Sequence, residues 1–373
     1  MKRWISRIKR ILLITSIATL PCALSPGQDA PSSHSAGKLA PRPLYRDPPF
    51  DAPTDPVFCF NAESSKWFMY YTQRRATAAD ATGVTWIHGT KIGMATSTDG
   101  VTWTYMGEAK IDYGQKEHPT DYTYWAPEVI WDAGGGGMYH MCLSYVPGIF
   151  TDWNHPREIV HLTSKDGIKW DTIGQVDLKS DRVIDACVIQ LPDKNWRMFY
   201  KDERKPMALS YADSPDLYKW EAKGNAVTDR NGEGPKAIHW QGKYWLIADT
   251  WAGQGVWSSD DCKTWKPQEG VLIGNHGDVV INGDRAWWFY FGGQNARGGG
   301  TIKWAINPAS TLPAPTSAPA TSTAPSGRRG GGGGGRSTAI NVVELHVIDG
   351  RLVYDDPAQP TYIDLKMARE EER

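Results

Sequence analysis

Five acidic residues each open a short apolar stretch of this chain: Asp55 in DPVFCF, Glu128 in EVIW, Asp185 in DACVIQ, Glu233 in EGPKAIHW and Asp278 in DVVIN. Carboxyl groups gathered in one cleft supply acid–base chemistry. One protonates a leaving oxygen while another activates water, which is the pairing that cleaves a glycosidic bond. Three of the five stand in distinctive contexts. Asp55 precedes Pro56, whose ring fixes φ and starts the strand rigidly. Asp185 lies in the apolar run VIDACV, where burial raises a carboxyl pKa unless a partner compensates. Glu233 is flanked by Gly232 and Gly234, which let a ligand approach, and its longer arm suits a proton donor.

Each acid is followed by a turn and an aromatic-rich strand, and successive acids lie roughly 45 to 75 residues apart. One antiparallel hairpin per repeat at that period predicts an all-β fold, a five-bladed β-propeller of four-stranded antiparallel blades. A second repeat interleaves with the first: STDGVTW (97–103), SKDGIKW (164–170), SPDLYKW (214–220) and SDDCKTW (259–265). Its Asp holds a turn between the third and fourth strands, and its Trp packs between sheets. The first strand of every blade then faces the axis, and the five carboxylates are expected to converge at one mouth. Loops on that side, at 73–90, 147–158, 202–207, 250–255 and 292–300, carry Trp86, His88, His155, Arg157, Trp251 and Arg297 as candidate sugar contacts. Trp125 and Glu128, in WAPEV, are expected to line the mouth. Lys201, Asp202, Glu203, Arg204 and Lys205 read as a solvated charge run.

The composition sets limits. A net charge of −1 argues against nucleic acid or an anionic membrane surface as partner. The 18 Trp and 16 Tyr suit an all-β core and rings that stack on sugar faces. Lys2, Arg3, Arg7, Lys9 and Arg10 precede the apolar stretch ILLITSIATL at 11–20, which is too short to span a bilayer. Residues 1–25 therefore read as an export signal, and a periplasmic or extracellular protein is expected. Cys22 offers a lipid-anchor site that Pro21 fits poorly. Cys59, Cys142, Cys187 and Cys262 remain, as free thiols or as a disulfide, and no CxxC pair points to zinc. Residues 26–43 read as a disordered leader, 44–365 as the propeller and 366–373 as a tail. The Pro/Ser/Gly-rich stretch 308–338 reads as a disordered insertion in the last blade, after its third strand and so on the far side. A monomer with no membrane span and no required cofactor is expected.

The ordered set Asp55-Pro56 in the first blade, WAPE (125–128) in the second, Ile184-Asp185 in the third and EGP (233–235) in the fourth resembles the family 43 glycoside hydrolases, over roughly residues 50–300. That group includes arabinanases, arabinofuranosidases and xylosidases. The resemblance implies an inverting hydrolase with Asp55 as base, Asp185 as the residue tuning and orienting the acid, and Glu233 as acid. It implies a terminal arabinofuranose or xylose of plant or algal glycans as the sugar removed. Departures are Glu128 and Ala186, where the family commonly has Asp and Pro. The family often places a metal-binding His in the fifth blade, which makes His276 a candidate ligand and the axis, near Asp278, a place for a structural Ca²⁺. Asp47, in RDPPF, is a rival base, because related fructan-cleaving propellers use an Arg-Asp-Pro motif. Two other readings stay open: a non-catalytic carbohydrate-binding propeller, and a glycoside phosphorylase drawing on Arg74, Arg75, Arg157, Arg204 and Arg297.

Overall fold

Short β-strands joined by turns and longer loops make up the computed structural model, which describes residues 37–79, 81–118, 120–134, 136–293 and 336–366. The strands are β1 (Lys38–Leu39), β2 (Pro53–Asn61), β3 (Lys66–Gln73), β4 (Lys91–Ser97), β5 (Thr104–Glu108), β6 (Lys110–Ile111), β7 (Thr123–Asp132), β8 (Met138–Val146), β9 (Glu158–Ser164) and β10 (Lys169–Gln175). They continue as β11 (Val183–Gln190), β12 (Trp196–Asp202), β13 (Leu209–Ser214), β14 (Glu221–Val227), β15 (Glu233–Trp240), β16 (Lys243–Asp249), β17 (Gln254–Ser259), β18 (Lys266–Leu272), β19 (Gly277–Asn282), β20 (Arg285–Gly293), β21 (Thr338–Ile348), β22 (Arg351–Tyr354) and β23 (Tyr362–Ile363).

Five antiparallel sheets result, β2–β5, β7–β10, β11–β14, β15–β18 and β19–β22, each ordered as in the chain. They are the five blades of the expected propeller. The second blade carries an extra edge, because β6 pairs in parallel with β10. The innermost strands β2, β7, β11, β15 and β19 touch in a closed cycle. Strands such as β2 are buried along their length, whereas the outer β5 and β14 alternate exposed and half-buried residues. A strand covered on both faces reads as a continuous apolar run, and one covered on a single face alternates.

The core is divided among the seams between blades. Val57, Tyr70 and Ile92 of the first blade pack on Met141 and Leu162 of the second. Val188 and Met198 meet Cys142 and Ile159, and Phe199 meets Leu246 and Trp257. Ile238 and Trp245 meet Trp288 and Val343. The ring closes where Phe58, Met69 and Tyr71 meet Trp287, Phe289 and Ile340. The Trp of the four far-side turns wedges these seams, with Trp170 edge-on to Tyr70 at 5.9 Å and Trp265 to Phe199 at 5.6 Å. Asp166 holds its turn by accepting from the Ile168 and Lys169 amides at 2.7 and 2.9 Å. The four described cysteines are buried free thiols.

The two ends of the described chain clasp the closing seam. Lys38 pairs with Ile363 and Leu39 with Tyr362, while the Leu44 and Tyr45 amides donate to Ile340 O. The described fold thus includes residues before the boundary expected at 44. A leader of Pro, Ser and Ala gives no sign of a two-residue strand that only the distant β23 completes. The insertion also leaves from the other side than expected. Gly293, at the end of β20, pairs directly with Thr338 at the start of β21. Residues 294–337 therefore join the second and third strands of the last blade, whose ends at Gly293 and Thr338 lie on the mouth side. Most of the expected insertion and Arg297 itself lie outside the described residues, as do residues 1–36.

Four blades share one irregularity that sets the register of the site. In β2 the pairing steps from Thr54↔Thr72 to Val57↔Tyr70, and in β7 from Trp125↔Ser144 to Glu128↔Cys142. In β11 it steps from Ile184↔Lys201 to Cys187↔Phe199, and in β15 from Glu233↔Asp249 to Lys236↔Ile247. Each is a bulge that sets two residues against one. The first bulged residue is left-handed in every case, at φ 52° for Asp55, 40° for Ala126, 59° for Asp185 and 60° for Gly234. Three of these are not glycine, so the backbone accepts strain of about 1 kcal/mol or more at each to aim the next residues inward.

Candidate functional site

The bulges sort the inner strands into tiers. The outermost holds Thr54, Trp125, Ile184 and Glu233. The next holds Asp55, Ala126, Asp185 and Gly234, with His276 two residues before Asp278 in the unbulged fifth blade. The third holds Val57, Glu128, Cys187, Lys236 and Asp278. Bonds between blades confirm this third tier. The Phe58 amide donates to Asp278 Oδ2 at 2.8 Å, the Val188 amide to Glu128 Oε1 at 3.0 Å and the Ala237 amide to Cys187 Sγ at 3.1 Å. In each case the donor follows the neighbouring blade's third-tier residue. The five acids that open the repeats thus occupy three depths instead of one mouth.

At the upper tiers, charges are tightly coupled. His276 Nδ1 lies 3.5 Å from Asp55 Oδ1, and Arg74 Nη2 lies 3.9 Å from Asp55 Oδ2. Thr54 Oγ1 donates to Asp55 Oδ2 at 2.9 Å. Burial alone would raise the Asp55 pKa, but the His276 bond and the charges of Arg74 and His276 outweigh it and hold the carboxyl at about 2. Asp185 is pinned by its own amide, which donates to Ser144 Oγ at 2.9 Å, and by the Gly234 amide, which donates to its Oδ2 at 3.0 Å. Burial is the larger cause lifting Asp185 to about 6, with the charge of Asp55 adding to it against the pull of His276. Burial would lower His276, yet the Asp55 bond and the charges of Asp185, Asp55 and Glu233 push it up to about 9. His276 is therefore an imidazolium at neutral pH. Its ring lies over Gly234, where a Cβ would come within 2.5 Å of His276 Cγ. Glu233 stands half-buried at the rim, opposite Asp249, and its charge is felt by His276, Arg157 and Lys201.

The other foreseen residues divide. Trp125 is 8 % exposed, comparable with Asp55 and Asp185 at 7 %, and its indole donates to Ile87 O at 2.6 Å. His88 and His155 are buried. Their Nε2 atoms meet at 3.2 Å, and His155 stacks on Phe150 at 4.2 Å. Burial lowers both, His88 to about 4, so they form a neutral wall behind Trp125 and Trp153. Arg157 is also buried, with Nε 3.0 Å from Glu203 Oε2 and its guanidinium 5.7 Å from the Trp125 ring. Trp86 lies under the Arg336 guanidinium at 5.7 Å. Trp251, at φ 60°, stands 49 % exposed on its loop. Asp47 is buried, and its carboxylate accepts from Tyr71 Oη, Gln73 Nε2 and the Phe50 amide at 2.7–2.8 Å. Lys201 and Asp202 are not a solvated run, since Lys201 Nζ is buried and donates to Pro206 O and Asn231 Oδ1 at 2.9 Å.

Sequence reasoning missed Arg74 as the partner of Asp55, Glu203 as the partner of Arg157, and Lys236. Lys236 had a signal, a lone cation inside a strand otherwise reading as buried. Glu128, expected at the mouth, lies below it and takes Lys236 Nζ at 3.1 and 3.3 Å. Asp278 takes the same ammonium at 2.7 Å. A calcium ion on this axis does not fit these residues. His276 is turned to Asp55, and the carboxylate oxygens below already receive Lys236 and backbone N–H groups. Among the described residues no group of three or more His, Cys, Asp or Glu is arranged around a metal position.

Neither a protein-family model nor a curated protein matches this sequence. Solved structures do. A thermostable family 43 glycoside hydrolase is 18 % identical with a TM-score of 0.57, covering 88 % of this chain and 100 % of its own. A family 43 β-xylosidase/α-arabinofuranosidase from a compost microbial metagenome, solved with xylotriose in a calcium-free form, is 16 % identical with a TM-score of 0.57, covering 87 % and 99 %. A family 43 β-1,3-galactosidase with galactodeoxynojirimycin is 13 % identical with a TM-score of 0.58, covering 86 % and 97 %. At such identities the likeness is one of fold, and the fold this chain shares with them is the five-bladed propeller.

Proposed function

We propose that this protein is an exported glycoside hydrolase that removes terminal sugars, arabinofuranose or xylose, from plant or algal oligosaccharides with inversion. The observation that carries the reading is the split between neighbouring carboxyls. Asp55 is held near 2 by His276 and Arg74 while Asp185 is lifted to about 6. Carboxyl groups whose pKa values are pushed apart by burial and a specific charged partner mark a site for acid–base chemistry. Asp55, ionised throughout the physiological range, is the base that takes a proton from water. Glu233, on the outermost tier and less buried, reaches the leaving oxygen as acid. Asp185 lies one tier deeper, bonded to the Gly234 amide beside Glu233, and acts as a positioning residue on it. Arg74 and His276 keep the base charged. The exposed ring of Trp251 offers a sugar-stacking face, and Trp125 lies near the bulge of the second blade. The basic segment and apolar run at residues 2–20 support export.

The phosphorylase reading loses support because three of its five cations face carboxylates: Arg74 faces Asp55, Arg157 faces Glu203 and Arg204 faces Asp181. Product release from aryl glycosides and pentose-bearing oligosaccharides, with and without phosphate, tests the whole. Glu233→Gln is expected to slow release from poor leaving groups about 10²–10⁴-fold, and far less with an activated aryl group. Asp55→Asn is expected to slow both. A single released sugar whose first-formed anomer is inverted supports the mechanism. Sugar binding without turnover across the panel would instead establish the carbohydrate-binding propeller, and phosphate-dependent turnover the phosphorylase.

A further inference from the structure

Below the mouth, the propeller axis holds a salt-bridged hub that the proposed reaction does not use. Lys236 Nζ sits 2.7 Å from Asp278 Oδ1 and 3.1 Å from Glu128 Oε2, with both carboxylates buried. Both carboxylates also accept hydrogen bonds from backbone amides. Asp278 accepts from the Phe58 and Val279 amides, each at 2.8 Å, and Glu128 from the Val188 amide at 3.0 Å. Lys236 comes from the fourth blade, Asp278 from the fifth, Glu128 from the second, Phe58 from the first and Val188 from the third. One ammonium and two carboxylates thus tie all five inner strands together.

A divalent cation on such an axis needs six or more oxygen ligands free to turn toward it. Here the carboxylate oxygens already face N–H groups, and the ammonium stands between them. We propose that Lys236 is the built-in cation of the axis, an ammonium that takes the place of a divalent ion between Glu128 and Asp278 and makes the fold independent of calcium. Removing it would leave two buried carboxylates face to face, an arrangement relieved only by a proton or by an ion from solution.

The test is thermal melting and direct calcium titration of the full chain and of Lys236→Ala, each in excess EDTA and in millimolar CaCl₂. For the unaltered protein, the expected result is one Tm in both conditions and no calorimetric calcium binding. For Lys236→Ala, the expected result is a Tm lower by about 5 °C or more in EDTA, partly restored by CaCl₂. Calcium binding by the unaltered protein, with a Tm that falls in EDTA, would overturn the proposal. So would a Lys236→Ala protein that melts like the unaltered one. If Lys236→Ala does not fold, adding Glu128→Gln and Asp278→Asn removes the unbalanced charge. Recovery of a cooperative melt then supports the proposal, and failure to recover overturns it. Both readouts are indifferent to sugar cleavage, so their outcome is separate from that of the proposed function.

Discussion

Asp55 and His276 behave as one electrostatic unit, which makes pH a probe of it. The folded His276 pKa, about 9, lies above its ordinary 6.5. The stability it contributes is fully present below pH 6.5 and is lost as pH rises through 9. Asp55 is depressed from 3.8 to about 2, so its contribution is present above pH 3.8 and is lost as pH falls through 2. Asp185 runs the other way. Its folded pKa, about 6, exceeds 3.8, so its contribution is largest below pH 3.8 and is lost as pH rises through 6. Tm measured against pH is therefore expected to fall between 6.5 and 9 in the unaltered protein and to stay flatter there in His276→Gln. Likewise, Asp185→Asn is expected to lose the decline between 3.8 and 6. Asp55, Asp185 and Glu233 stood out in the sequence because their contexts are chemical: Asp-Pro, an acid in an apolar run, and an acid between glycines. The role of His276 was not. Its neighbours in the chain are Asn275 and Gly277, and the carboxylates that keep it protonated come from other blades.

At the scale of strands, the four bulges decide which side chain points where. An extra residue set against one partner shifts everything beyond it by one step. The five acids align in the sequence as openers of repeats. In space, Glu233 is one residue above the bulge position, Asp55 and Asp185 occupy it, and Glu128 lies two residues below it. Nothing in the spacing of acids reports a bulge, so the strands were legible and their register was not. The turns SxDxxxW were legible in full because their bonds are local: Asp99 accepts from Val101 and Thr102 within its own loop. The bulge geometry also makes unequal demands on two small residues. At Gly234, φ is 60° and an added Cβ would strike the His276 ring. Gly234→Ala is therefore expected to destabilise by about 1–3 kcal/mol and to cut turnover by displacing His276. Ala126 already bears a Cβ at φ 40°, so Ala126→Gly relieves strain and is expected to leave both within about 0.5–1 kcal/mol. Denaturant melts and initial rates of the two variants distinguish these effects.

For the molecule as a whole, the blade count and the strand order within blades followed from two interleaved repeats. The closure did not, since it depends on Lys38–Leu39 meeting Tyr362–Ile363, segments with no periodic signal. The insertion was placed after the wrong strand because its composition says nothing of where β21 begins. The clasp has a consequence beyond stability. Since Leu39 pairs with Tyr362, the beginning and end of the described fold are neighbours, and which blade counts as first is an accident of where the chain was opened. Joining those ends with a short Gly/Ser linker and cutting instead between Gly293 and Thr338 gives a circular permutant in which no strand pairing is altered. Such a permutant is expected to melt within a few degrees of the original and to keep its turnover, with the same cycle of seams read from a new starting point.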